Sequence, residues 1–161
     1  MYRNRLIAGI ALGLVISVGA QAEEKKIKQS NLPPAVQKTA ADQVGTGTVQ
    51  GYTTDKVGGV MVYQMNVVVD GRTRAVVMDE SGTVTSVEQE IAWTDLPADV
   101  RKDFDNVMGK GKYGTVSSIT TDGKIVAYEA VKVTYGEKAN VRVKPNPAAE
   151  AAPAAVPGAS K

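Results

Sequence analysis

Val60-Met-Val-Tyr-Gln-Met-Asn-Val-Val-Val-Asp-Gly-Arg-Thr-Arg-Ala-Val-Val-Met-Asp79 is a pair of β-rich runs around Asp70-Gly71. Asp-Gly between such runs specifies a two-residue hairpin, because both central positions need positive φ, which Gly adopts freely and Asp tolerates. That turn pairs Val69 with Arg72, and counting back pairs Met65 with Val76 and Tyr63 with Met78. Side chains alternate across a strand, so these residues share one apolar side that needs a cover. The other side carries Gln64, Asn66, Val68, Thr73, Ala75 and Val77, small and mostly uncharged. Nothing in the pattern supplies a cover for it.

The cover for the apolar side is legible on both flanks. Asn31-Leu-Pro-Pro-Ala-Val-Gln-Lys38 matches Asp95-Leu-Pro-Ala-Asp-Val-Arg-Lys102 at an offset of 64 residues, and Gly45 and Gly47 align with Gly109 and Gly111. Asn31 and Asp95, or Ser30 and Thr94, are suited to cap a helix, Pro33 and Pro97 to its first turn, and Gly45 and Gly109 to its left-handed stop. Leu32, Val36, Ala40, Val44 and Leu96, Val100, Phe104, Met108 recur every four residues. Each set forms one apolar stripe on a helix.

Strands are expected near 48–54, 60–69, 72–79 and 83–90 after the first helix, and near 115–121, 124–134 and 138–143 after the second. Asp122-Gly123 is a second two-residue hairpin signal, with Ser81-Gly82 and Tyr135-Gly136 marking further turns. The same counting places Ile119, Val126 and Tyr128 under the second helix and leaves Ser118, Ala127 and Glu129 facing out. Beyond Ala130, Val131 and Val133 fall in the opposite phase, which predicts a bulge. The expected fold class is α+β: two tandem helix-plus-antiparallel-strand units, with the helices on one face of a curved antiparallel sheet. Tyr63 and Tyr128 are assigned to the core, and Trp93 to packing at the junction of the units.

The Leu-Pro-x-x-Val helix, the Gly-x-Gly, the tyrosine-centred strand running into Asp70-Gly71, the strand ending at Asp79, Ser81-Gly82 and the second Asp-Leu-Pro helix resemble the PepSY-like domains of exported bacterial proteins. Those are grouped by fold with the tandem-repeat β-lactamase inhibitory protein. The resemblance spans residues 31–144, more closely in the first unit. It implies a binding or inhibitory role outside the cytoplasm and supplies no catalytic residues.

Residues 1–22 have a basic start, an apolar run and Ala20-Gln21-Ala22, the pattern of an export signal cleaved before Glu23. The apolar run is short of the roughly 20 residues that cross a bilayer, so no stable membrane anchor is expected after cleavage. The mature protein is expected in the periplasm or secreted. Residues 23–30 read as a linker, 31–92 and 93–144 as the two units, and 145–161, rich in Pro and Ala, as a disordered tail.

The chain of 161 residues has no His and no Cys. That excludes Ser-His-Asp and Cys-His catalysis, the usual zinc and haem sites, and disulfides. With Arg3 and Arg5 in the signal, the 19 basic residues leave a mature chain of near-zero net charge. No nucleic-acid partner is expected, since phosphate contact needs an excess of Lys and Arg.

Other motifs carry less. Gly109-Lys-Gly-Lys-Tyr-Gly114 spells a dinucleotide fingerprint but closes a helix and opens a strand, the wrong polarity for a pyrophosphate. Asp79 and Glu80 are a candidate cation pair without the ligand spacing of a calcium loop. Glu88 and Glu90 share a strand face about 7 Å apart, which suits either edge protection or a carboxylate hydrolase.

The chain is therefore expected to be a non-enzymatic module without cofactor or metal. It recognises a protein or peptide of the cell envelope, with enzyme inhibition as one form of that role, through Gln64, Asn66, Thr73, Ser118 and Glu129 on the open face. An envelope scaffold or stress protein without a discrete ligand is the alternative.

Overall fold

A computed structural model describes residues 25–108, 112–134 and 137–145. The export signal, the loop glycines Gly109 and Gly111, the Tyr135-Gly136 turn and the tail from residue 146 onward lie outside the described residues. In chain order the elements are β1 (Lys25–Ile27), α1 (Pro34–Val44), β2 (Thr48–Val57), β3 (Val60–Val69), β4 (Arg72–Asp79), β5 (Val84–Ile91), α2 (Ala98–Met108), β6 (Lys112–Thr121), β7 (Lys124–Thr134) and β8 (Glu137–Val143). All eight strands join one antiparallel sheet in sequential order, β1 to β8.

Both Asp-Gly turns form as their chemistry demands. Asp70 and Gly71 have φ of 51° and 77°, and Asp122 and Gly123 have 51° and 73°. Val69 pairs with Arg72, Met65 with Val76 and Tyr63 with Met78. Leu32, Val36 and Ala40 of the first stripe close over Tyr63, Met65, Val67, Val76 and Met78. Leu96, Val100 and Phe104 of the second close over Val116, Tyr128, Ala130, Val141 and Val143. The Trp93 ring lies 5.9 Å from that of Phe104 and seals the junction before α2.

The register shows that both helices cover the same side. Val76 pairs with Val87, Gln89 two residues on pairs with Ser118, and Ser118 pairs with Tyr128. Directly paired residues share a side of the sheet. Tyr128 under α2 therefore faces the same way as Val76 under α1.

Three sequence expectations are corrected. Residues 23–30 do not all form a linker, because Lys25–Ile27 pairs with Tyr52–Thr54 as an added edge strand. Neither Asn31 nor Ser30 caps α1. Leu32 and Pro33, each preceding a proline, are extended, so Asn31 sits a turn too early and closes a 3-10 turn over Gln29–Asn31 instead. Asp95 likewise accepts from the Ala92 amide at 3.3 Å within the 3-10 turn Trp93–Asp95.

The third correction concerns β6. Thr120 pairs with Ile125 but Ile119 pairs with Ala127, leaving Val126 as an extra residue. That bulge reverses the phase of β6 relative to β7. Ser118 thus faces the helix side, opposite Tyr128, and Ile119 faces out. Val126, expected under α2, is 43% exposed.

Candidate functional site

The side of the sheet opposite the helices holds a hollow of about 350 Å³. Its lining includes Gln50, Gln64, Asn66, Thr73, Glu88, Glu90 and Ser117, drawn from β2 through β6. Gln64, Asn66 and Thr73 come together there because β3 and β4 pair in the register the Asp-Gly turn sets. Glu129 faces the same side directly across from Ser117. Ser118 does not belong to this group, for the reason given above.

Hydrogen bonds organise the rim. Gln64 donates Nε2–H to Oδ1 of Asn66 at 3.0 Å. The Thr73 amide and hydroxyl both donate to Oε2 of Glu90, at 3.0 and 2.8 Å. Those two bonds favour the ionised carboxylate and hold the Glu90 pKa below the usual glutamate value. Arg142 donates Nε–H and Nη2–H to Oε2 of Glu129, at 3.1 and 2.8 Å.

Other groups in the hollow remain open. Glu88 makes no hydrogen bond or ion pair among the described residues. Ser117 is only 7% exposed, and its hydroxyl has no partner among the described residues. Arg74 borders the hollow, but its guanidinium bonds the Gln43 carbonyl oxygen and Oε1 at the end of α1.

Sequence reasoning missed Ser117 because the bulge at Val126 cannot be counted from the turn. It also misplaced the strand of Glu88 and Glu90. β5 is interior, paired to β4 on one side and β6 on the other, so its acids do not protect an edge. The Asp79–Glu80 candidate resolves into a turn. Oδ1 of Asp79 accepts from the Ser81 amide and hydroxyl, at 2.9 and 2.6 Å, and from the Thr83 amide at 3.0 Å. No group of three or more metal-ligating side chains occurs among the described residues.

These features define an α+β protein with helices on one side of an antiparallel sheet and a polar hollow on the other. No family model matches the chain, and no curated protein matches it significantly. Among solved structures the chain is similar to a protein described as periplasmic from Bacteroides eggerthii, with 15% identity and a TM-score of 0.48, over 70% of this chain and 90% of that one. It is similar to a protein of Bacteroides vulgatus, described as periplasmic and of the DUF2874 family, with 15% identity and a TM-score of 0.36, over 78% of this chain and all of the other. A third, described as a calcium-regulated periplasmic protein of Bacteroides thetaiotaomicron, has 14% identity and a TM-score of 0.34, over 75% of this chain and 97% of that one. Identities this low carry over no residue role.

Proposed function

We propose that the protein is an exported, non-catalytic binding module of the PepSY-like kind, and that its helix-free sheet face recognises a protein or peptide of the cell envelope. The observation that carries this reading is the polar hollow on the side opposite both helices, lined from five adjacent strands. Export rests on the basic start, the apolar run and the Ala20-Gln21-Ala22 motif. Gln64, Asn66, Thr73 and Ser117 offer hydrogen bonds on a rigid sheet, the kind of preorganised surface that loses little entropy on binding. Glu129 extends the same surface towards β8.

The carboxylate-hydrolase alternative has Glu88 and Glu90 lining one hollow. A general acid in such a pair needs a raised pKa, whereas Glu90 is shifted down by Thr73. That direction leaves Glu90 only the ionised, nucleophile or base role in such a pair.

Affinity capture from an envelope extract tests the proposal, comparing the wild type with the double variant Asn66→Lys and Thr73→Lys. A partner retained by the wild type and lost by the variant is expected. Identical recovery by both overturns the open-face reading. Recovery of a peptidase as that partner would turn the reading towards inhibition.

A further inference from the structure

We propose that the hollow on the open face receives a positively charged side chain of its peptide partner, a lysine ammonium or arginine guanidinium, held by Glu88, Glu90 and Ser117. The inference rests on the open-face reading above and adds the chemistry of the group that enters. The hollow is rich in acceptors that have no donor. Both bonds from Thr73 go to Oε2 of Glu90, leaving Oε1 without a hydrogen-bond partner among the described residues. Gln64 uses its Nε2 on Asn66, which leaves its carbonyl oxygen available. Glu88 is unpaired among the described residues.

Ser117 is the independent observation. Ser117 is more than nine-tenths buried, lines the hollow, and stands directly across from Glu90 on β5 and Glu129 on β7. A buried hydroxyl without a partner carries a desolvation cost that a donor entering the hollow relieves.

Charge points the same way. Glu88 and Glu90 lie two residues apart on one side of β5. The charge of Arg72, which pairs with Asp95, is felt at Glu90, but among the described residues no cation forms an ion pair with either carboxylate. Arg74 is drawn to Gln43 on the helix side, and Arg142 is engaged by Glu129. A guanidinium brings five donors and an ammonium three, with no acceptor to clash with the carboxylates. The volume of about 350 Å³ lies within the range of small-ligand pockets and admits one such side chain.

The probe is a capped pentapeptide with a central arginine between glycines, titrated into the ¹⁵N-labelled full chain. The control replaces arginine by citrulline, its neutral isostere. The arginine peptide is expected to give saturable shifts at the amides of Glu88, Glu90 and Ser117, and the citrulline peptide to bind about tenfold more weakly. Glu88→Gln and Ser117→Ala should each weaken the arginine peptide several-fold without lowering the melting temperature, since neither side chain holds another part of the protein and loss of the unpartnered Ser117 hydroxyl removes its desolvation cost. Equal binding of both peptides on this face overturns the cation assignment and leaves the open-face reading standing. Absence of shifts on the face with either peptide also overturns the assignment. The envelope capture with the Asn66 and Thr73 variant then decides the broader reading separately.

Discussion

The Thr39 hydroxyl on α1 donates a 2.7 Å hydrogen bond to the Gly82 carbonyl in the β4–β5 turn. Helix and turn touch backbone to backbone here, because a Cβ on Gly82 would lie 2.6 Å from the Ala35 carbonyl oxygen. Gly82 also has φ of 80°, so glycine is required both for its conformation and for the close approach.

Gly82→Ala should therefore destabilise the fold by about 2 kcal/mol or more, combining left-handed strain with the clash. Thr39→Val should cost about 1 kcal/mol, the size of one partly buried hydrogen bond. Urea unfolding monitored by circular dichroism measures both. A Gly82→Ala midpoint equal to that of the wild type would refute the tight docking of α1.

The two core clusters share no residue. Phe104→Ala should cost about 3–5 kcal/mol and Met65→Ala about 2–5 kcal/mol, since both side chains are fully buried. In a double variant the two losses should add to within about 0.5 kcal/mol, as expected for sites without common neighbours. A larger deviation in chemical denaturation would mean that the clusters are coupled through the sheet.

Hairpin counting puts Val126 in the core, and the folded register puts it on the surface. Val126→Ser should thus change stability by no more than about 0.5 kcal/mol. A loss of about 2 kcal/mol in thermal or urea unfolding would restore the unbulged register and return Ile119 to the helix side.

Asp79 is held as the carboxylate chiefly by the Ser81 hydroxyl and the Thr83 amide, which push its pKa below the ordinary 3.8. A carboxyl with a depressed folded pKa stabilises the protein above its unfolded value and loses that contribution as pH falls through the folded one. Asp79→Asn should lower the urea midpoint at neutral pH. The gap from the wild type should shrink once the pH drops below 3.8. Glu90 shifts in the same direction, so the variant keeps part of the acid sensitivity. A gap that is the same at about pH 2 as at pH 7 would remove Asp79 from this role.

Much of the fold was legible because its signals are local. Asp70-Gly71 dictates a turn and hence the partner of every residue on β3 and β4, and that places Gln64, Asn66 and Thr73 on one side. The four-residue spacing in both helices names the residues that cover the other side. Less local features were not legible. Lys25–Ile27 is too short to show a period, and it is a strand only because β2 offers it an edge. The proline after Leu32 displaced the expected cap by one turn. Ser117 entered the hollow in place of Ser118 because one extra residue, Val126, shifted the pairing of β6.

The sequence by itself determined the export pattern, the absence of histidine and cysteine chemistry, the two apolar helix stripes and the Asp-Gly hairpins. Each of these depends on residues within a few positions of one another. Only the tertiary structure decided that the strands of both units join in a single eight-stranded sheet and that Glu88, Glu90 and Ser117 share a hollow on the side away from the helices. Those facts depend on register carried across β4, β5, β6 and β7. A bulge of one residue at Val126 reverses that register, and no local motif in the sequence marks it.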